Sequence, residues 1–106
     1  GVFTLIYITA SSVDESASIG RKLVEERLAA CVNIIPSIRS IYHWEGSMEE
    51  DEESALIVKT SHELTPQIIK RVRELHSYDN PCIISIPITG GSRDYLEWLD
   101  DEVKRP

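Results

Sequence analysis

The sequence predicts an α+β domain with the split βαβ, ferredoxin-like order of elements: βαββαβ plus a C-terminal helix, as one antiparallel sheet with helices on one face. Three observations carry this. Four β-branched or aromatic runs are separated by turn signals. Two stretches between them repeat apolar residues at helical spacing. The chain has 106 residues, enough for one core and one domain spanning 1–106.

The elements follow in order. "VFTLIYIT", Val2 to Thr9, reads as a central strand buried on both faces. In the helix that follows, Ser12 and Glu15 have the spacing of a capping box, and Asp14 adds charge to the first turn. Ala17, Gly20, Leu23, Val24 and Leu28 mark its inner stripe. "CVNIIPSIRSIYHWEG" alternates, and Pro36 predicts a bend or bulge rather than an unbroken strand. Beyond it, Ser40, Tyr42 and Trp44 share one face. "ALIVKT", Ala55 to Thr60, is the next strand, with Gly46, Ser47 and the acids Glu49–Glu53 assigned to the intervening hairpin turn. The second helix has a stripe of Leu64, Ile68, Val72 and Leu75, and Thr65 is its expected N-cap with Pro66 at the first helical position. "CIISIPI", Cys82 to Ile88, reads as an edge or terminal strand because of Pro87. A short final helix after Gly90–Gly91 takes Ser92 as cap and turns Tyr95, Leu96 and Leu99 inward.

Both parities of the first strand are apolar: Val2, Thr4, Ile6 and Ile8 on one, Phe3, Leu5 and Tyr7 on the other. Helices cover one face, so the other needs a partner, and a homo-oligomer is expected. Eleven Lys and Arg against eighteen Asp and Glu leave a net charge of −7. That balance argues against nucleic acid and anionic membrane as partners. Cys31 and Cys82 form no CxxC, which fits free thiols in a reducing, cytoplasmic setting. No run approaches the roughly 20 apolar residues of a membrane span.

Catalytic signatures are weak. There is no G-x-S-x-G, no P-loop and no identifiable nucleophile–base pair, so no enzyme is expected. "GGS" at Gly90–Ser92 reads as a helix-linking turn. Among ferredoxin-like proteins, metallochaperones need a CxxC in the first loop and acylphosphatases an anion-cradling loop with Arg. The loop here, "TASSVDES", supplies neither. The richest cluster is "HSYDNPC", His76 to Cys82, which offers imidazole, phenol, carboxylate and thiol within seven residues. It reads as a tight helix-to-strand turn, with a copper or zinc contact as an added role. Lys59 reads either as an edge lysine or as a cation facing a cleft near His76. Tyr42 and Trp44 read as half-exposed aromatics of an interface or a ligand box. The five consecutive acids cannot all converge on one ion, because strand neighbours point to opposite faces. They read as a solvated flank of the hairpin.

"EERLAACVNIIPSIRSIYHWEG", "EDEESALIVKT", "ELHSYDNPCIISIPI" and "GSRDYLEWL" together resemble the CutA divalent-cation tolerance proteins, in order and spacing, through nearly the whole chain. The resemblance implies a tight homotrimer similar to PII signalling proteins, tolerance to copper and other divalent cations, and no settled catalytic reaction. Mammalian members are also linked to membrane anchoring of acetylcholinesterase. Cys31 matches the family's cysteine after the first helix, Tyr42 and Trp44 its aromatic pair, and Lys59 its lysine before threonine. His76 and Tyr78 match the ends of the usual His-Pro-Tyr, with Ser77 in place of proline. Asn80 and Cys82 stand where an apolar and an acidic residue are usual. The expectation is a non-catalytic copper-linked trimer with no obligatory cofactor. His76 is the preferred copper ligand, and Cys31 and Cys82 are weaker candidates. The alternative is a PII-like sensor whose small ligand sits in an inter-subunit cleft near Tyr42, Trp44, Lys59 and Tyr78.

Overall fold

A computed structural model describes residues 2–106. The elements are β1 (Phe3–Ala10), α1 (Val13–Glu25), β2 (Cys31–Trp44), β3 (Ser47–Ser61), a 3-10 turn (His62–Leu64), α2 (Thr65–Leu75), β4 (Ile83–Ile88) and α3 (Arg93–Glu102). The strands form one antiparallel sheet in the order β2-β3-β1-β4. β1 is central and β4 lies at an edge, as the patterns predict.

One sheet face packs under α1 and α2. Ile6, Leu56 and Val58 from the sheet meet Leu23 of α1 and Ile68 and Val72 of α2, all fully buried. Gly20 lets α1 lie close to the sheet, since a Cβ there would stand 3.1 Å from Val32 Cγ1. The opposite face is not sealed. β1 alternates fully buried with half-buried residues, and Ile84 and Ile86 of β4 are 52% and 46% exposed. The expectation that β1 is buried on both faces therefore fails for a single subunit, because α1 and α2 cover only one side.

Local chemistry explains the helix ends. Ser12 caps α1 by accepting the Glu15 N–H at 3.1 Å. The Glu15 carboxylate returns not to Ser12 but to the N–H and hydroxyl of Ser11, at 2.9 and 2.8 Å. At its other end, Arg27 takes a left-handed φ of 61°. The Arg27 N–H then bonds Val24 O and the Leu28 N–H bonds Leu23 O, which is a Schellman closure without glycine. Arg27 also pairs with Glu102 at 2.6 Å, tying α1 to the end of α3.

Three boundaries differ from the sequence reading. The β2–β3 turn is only Glu45–Gly46, with φ of 49° and 82°, the doubly positive pair that suits a two-residue hairpin. The acids Glu49–Glu53 therefore lie inside β3 and are paired to β2. Thr65 is helical (φ −51°, ψ −48°), so Leu64 and the 3-10 turn, not a threonine cap, introduce α2. In α3, Leu99 is fully buried but Tyr95 is 41% exposed, and it faces Lys59 rather than the core. Lys59 pairs with Leu5 and Cys31, on the face opposite α1 and α2, so the helices are not all confined to one side.

The bulge predicted at Pro36 is present, as a register shift between Ile35 and Ile38. β1 pairs with β3 only as far as Ser54. Beyond that row, Ile38–Trp44 and Ser47–Glu53 continue as a two-stranded ribbon, and the domain measures 45 × 25 × 22 Å. Such a ribbon has no core of its own and is marginal in isolation.

Candidate functional site

Where the ribbon leaves the sheet, it faces the loop joining α2 to β4. Between them is a cleft of about 760 Å³. Tyr7 and Thr9 contribute from β1, Tyr42, Trp44, Asp51 and Glu53 from the ribbon, and Tyr78 and Cys82 from the loop.

The loop is fastened by three backbone contacts. The Ser77 N–H donates to Glu15 Oε2 at 2.8 Å. His76 Nε2 lies 2.8 Å from the Thr9 carbonyl, and the Tyr78 N–H donates to His76 Nδ1 at 3.0 Å. A carbonyl only accepts and a backbone N–H only donates, so the ring is the neutral Nε2–H tautomer. Glu15 Oε2 also lies 3.9 Å from Nδ1. That spacing is no ion pair while Nδ1 accepts from Tyr78. Burial alone would raise the Glu15 pKa, but hydrogen bonds from Ser11 and Ser77 outweigh it and bring it down to about 2.

The aromatic walls are pinned by carboxylates. Tyr78 Oη donates to Glu53 Oε2 at 2.8 Å, and its ring centroid is 4.8 Å from that of His76. Tyr42 Oη donates to Asp51. Its partner lies diagonally across the ribbon, since Tyr42 is opposite Glu49 and Asp51 opposite Ser40. The hydrogen bond to Asp51 pushes Tyr42 up to about 12, and desolvation with the Glu53 hydrogen bond pushes Tyr78 higher still. Both phenols stay protonated at any physiological pH.

The acidic run divides by strand parity, as the sequence requires. Glu49, Asp51 and Glu53 share the cleft side of β3. Glu50 and Glu52 face the other way, bonded to Arg39 Nη1 (3.1 Å) and Ser37 Oγ (2.9 Å). Asp51 and Glu53 are the carboxylates of the ribbon that sequence reasoning did not assign to the site, and Tyr7 and Thr9 of β1 were missed as well. The usable signal for the two carboxylates was their parity with Tyr42 on the paired strand.

The structure gathers some expected site residues and separates others. Tyr42, Trp44, Tyr78 and Cys82 line one cleft. Lys59 does not: its Nζ lies 3.5 Å from Tyr95 Oη and 5.5 Å from that ring's centre. Cys31 stands in the row of Leu5 and Lys59, whereas Cys82 precedes Ile83, which pairs with Ile8. The two thiols are thus roughly 13 Å apart along the strands and about 14 Å apart across them. His76, preferred from the sequence as a copper ligand, uses both nitrogens on backbone groups and has a fully buried side chain. His76, Cys31 and Cys82 therefore do not form one centre within a subunit. Among the described residues no group of three or more His, Cys, Asp or Glu is arranged to hold a metal ion.

Comparison with known proteins places these features in context. The family model described as CutA1 divalent ion tolerance protein matches residues 4–102. The chain is 47% identical over 95 residues to a divalent-cation tolerance protein CutA of Thermus thermophilus, covering 90% of this chain and 92% of that one. It is 42% identical to a chloroplastic CutA of Arabidopsis thaliana, covering 94% of this chain but 55% of the plant protein. The fold superposes on a periplasmic divalent cation tolerance protein CutA from Archaeoglobus fulgidus with a TM-score of 0.94 and 44% identity, over 96% of this chain and 99% of that one. It superposes on CutA1 from Oryza sativa with a TM-score of 0.97 and 37% identity, over 99% and 96%. Relatives described as periplasmic and chloroplastic overturn the expectation of a plainly cytoplasmic protein. Free cysteines do not specify a compartment when nothing in the fold depends on their redox state. No helix among the described residues is long and apolar enough to cross a membrane.

Proposed function

The chain belongs to the CutA1 divalent ion tolerance family, and from that premise we propose that it acts as a homotrimer in divalent-cation tolerance, with copper as the ion and no catalytic step. The unpartnered ribbon is the observation that carries self-association. Ile41 and Met48 are 63% and 73% exposed on one face of it, and Trp44, 55% exposed, is on the other, the side of the open sheet face that carries Ile84 and Ile86. The trimeric state, with its likeness to PII proteins, rests on the family resemblance. Light scattering should give the mass of three 12.0 kDa chains. Ile84→Glu combined with Ile86→Glu should dissociate it. A monomeric wild type at micromolar concentration sinks this reading.

For copper, the geometry favours Cys82. Its thiol lines the cleft, while His76 is held by backbone groups and Cys31 lies on another row. Anaerobic Cu(I) titration should show Cys82→Ser weakened about tenfold or more, with Cys31→Ser unchanged. Equal affinity in wild type and Cys82→Ser removes Cys82 from the site. A second reading, a small-ligand sensor, is favoured by the cleft itself. Its volume and mixed aromatic and polar walls fall within the range of small-molecule sites.

A further inference from the structure

His76 is a buried titratable side chain that the copper reading leaves unused. It is fully covered within one subunit, so association with other copies only adds to its cover. Both ring nitrogens are committed, and the two commitments respond differently to a proton. Nε2–H donates to the Thr9 carbonyl at 2.8 Å, a bond open to the neutral ring and to the imidazolium alike. Nδ1 accepts the Tyr78 N–H at 3.0 Å, and a protonated Nδ1 cannot accept. The ring therefore holds the Tyr78 amide only while it is neutral.

An acceptor for the new proton is already beside the ring. Glu15 Oε2 lies 3.9 Å from Nδ1. The carboxylate accepts from the Ser11 N–H, the Ser11 hydroxyl and the Ser77 N–H, which leaves about one of its four lone-pair sites free. With its pKa down to about 2, Glu15 keeps its charge throughout the range in which an imidazole titrates. Its side chain is only 14% exposed, so water screens an imidazolium–carboxylate pair poorly here. From the other elements, β1 presents the Thr9 carbonyl, and the loop presents the Tyr78 ring at 4.8 Å between centroids. Glu53 of β3 is engaged with Tyr78 Oη at 2.8 Å, and Arg73 of α2 touches the Asp79 carbonyl at 3.5 Å.

We propose that His76 is a proton-operated latch on the loop joining α2 to β4. Neutral, it holds the Tyr78 backbone, and with it the side chain that donates to Glu53. Protonated, it keeps Thr9 as its pivot, turns Nδ1–H to Glu15 and releases the Tyr78 N–H. Two donors cannot share the space between Nδ1 and the Tyr78 nitrogen, so the backbone at Ser77–Tyr78 has to move. The Tyr78–Glu53 bond then loses its fixed base, and this wall of the cleft loosens as pH falls. Every group of the latch lies within one subunit and neither thiol takes part, so it stands apart from the copper and small-ligand readings.

The test uses the full chain in its native assembly, without added metal. There are three histidines, and His43→Gln with His62→Gln leaves His76 as the reporting imidazole. Nitrogen NMR should show a bare Nδ1 and a protonated Nε2 at about pH 8, and two protonated nitrogens toward about pH 5. Over the same transition the Tyr78 amide should lose about tenfold or more of its exchange protection, corrected for the intrinsic rate. Glu15→Gln should move the ring transition to lower pH, because the charge that favours the imidazolium is gone. His76→Gln should remove the pH dependence at Tyr78; if that variant does not fold, the titration of the His76 ring and the Tyr78 amide decides alone. A ring that stays neutral down to about pH 5 overturns the proposal. A ring that titrates while the Tyr78 amide keeps its protection overturns it too, and leaves His76 a purely structural residue. A ring transition unmoved by Glu15→Gln removes Glu15 as the partner and overturns the latch in this form.

Discussion

Leu56→Ala should lower stability by about 2–5 kcal/mol, the range for a buried leucine truncated in a packed core. Leu56 is fully buried on β3, two residues from Ser54, where β1 stops pairing and the ribbon begins. Its Cδ2 lies 3.6 Å from the position a Gly20 Cβ would occupy, so it fills the close approach of α1 to the sheet. At fixed protein concentration the melting temperature should fall on the order of 10–20 °C. A loss below about 1 kcal/mol in urea unfolding is incompatible with a packed site here.

Glu15→Gln should have the second-largest effect and a distinctive pH signature. The carboxylate accepts the Ser11 N–H and hydroxyl and the Ser77 N–H, so it joins the start of α1 to the loop that carries Tyr78. Its folded pKa, about 2, lies below the reference value of 4.5. For a depressed carboxylate the stabilisation is fully present above the unfolded pKa and is lost as pH falls through the folded one. The contribution, on the order of 3 kcal/mol at most, should therefore decline between about pH 4.5 and pH 2. Glutamine keeps one acceptor and cannot titrate. At pH 7 it should cost about 1–3 kcal/mol, and the difference from wild type should shrink toward pH 2. Glu26, held low by Arg71, titrates in both proteins and cancels in the comparison. Identical acid slopes for wild type and variant would falsify the assignment. Because Ser77 precedes Tyr78, the variant should also loosen the cleft wall, seen as faster amide exchange at Ser77 and Tyr78.

The candidate site was only partly legible in the sequence. Tyr42, Trp44, Tyr78 and Cys82 were all singled out and all line the cleft. Asp51 and Glu53 were hidden because the acidic run was assigned to a turn, and a turn has no parity. Once Glu45–Gly46 is the whole turn, alternation places Asp51 and Glu53 beside the aromatics. His76 has the chemistry of a ligand, but its ring closes the α2–β4 loop against Thr9. No local pattern announces that use, since Thr9 is 67 residues away in the chain.

By itself, the sequence determined the order of elements, the apolar stripe of α2, the bulge at Pro36, the edge position of β4 and the family; in α1 it placed Gly20 and Leu23 inward but also Val24, which is 41% exposed, and it missed Ile19. These follow from periods of 2 and 3.6 residues and from turn chemistry, which act between near neighbours. Only the tertiary structure decided which rows of the sheet meet. The order β2-β3-β1-β4 and its registers set Cys31 and Lys59 beside Leu5, far from the row of Thr9 that His76 and the cleft share. Register is a property of pairs of distant segments, and one strand's slip of a single residue exchanges its two faces. That is why the aromatics and the thiol of the cleft could be named from the sequence, while its carboxylates Asp51 and Glu53 could not.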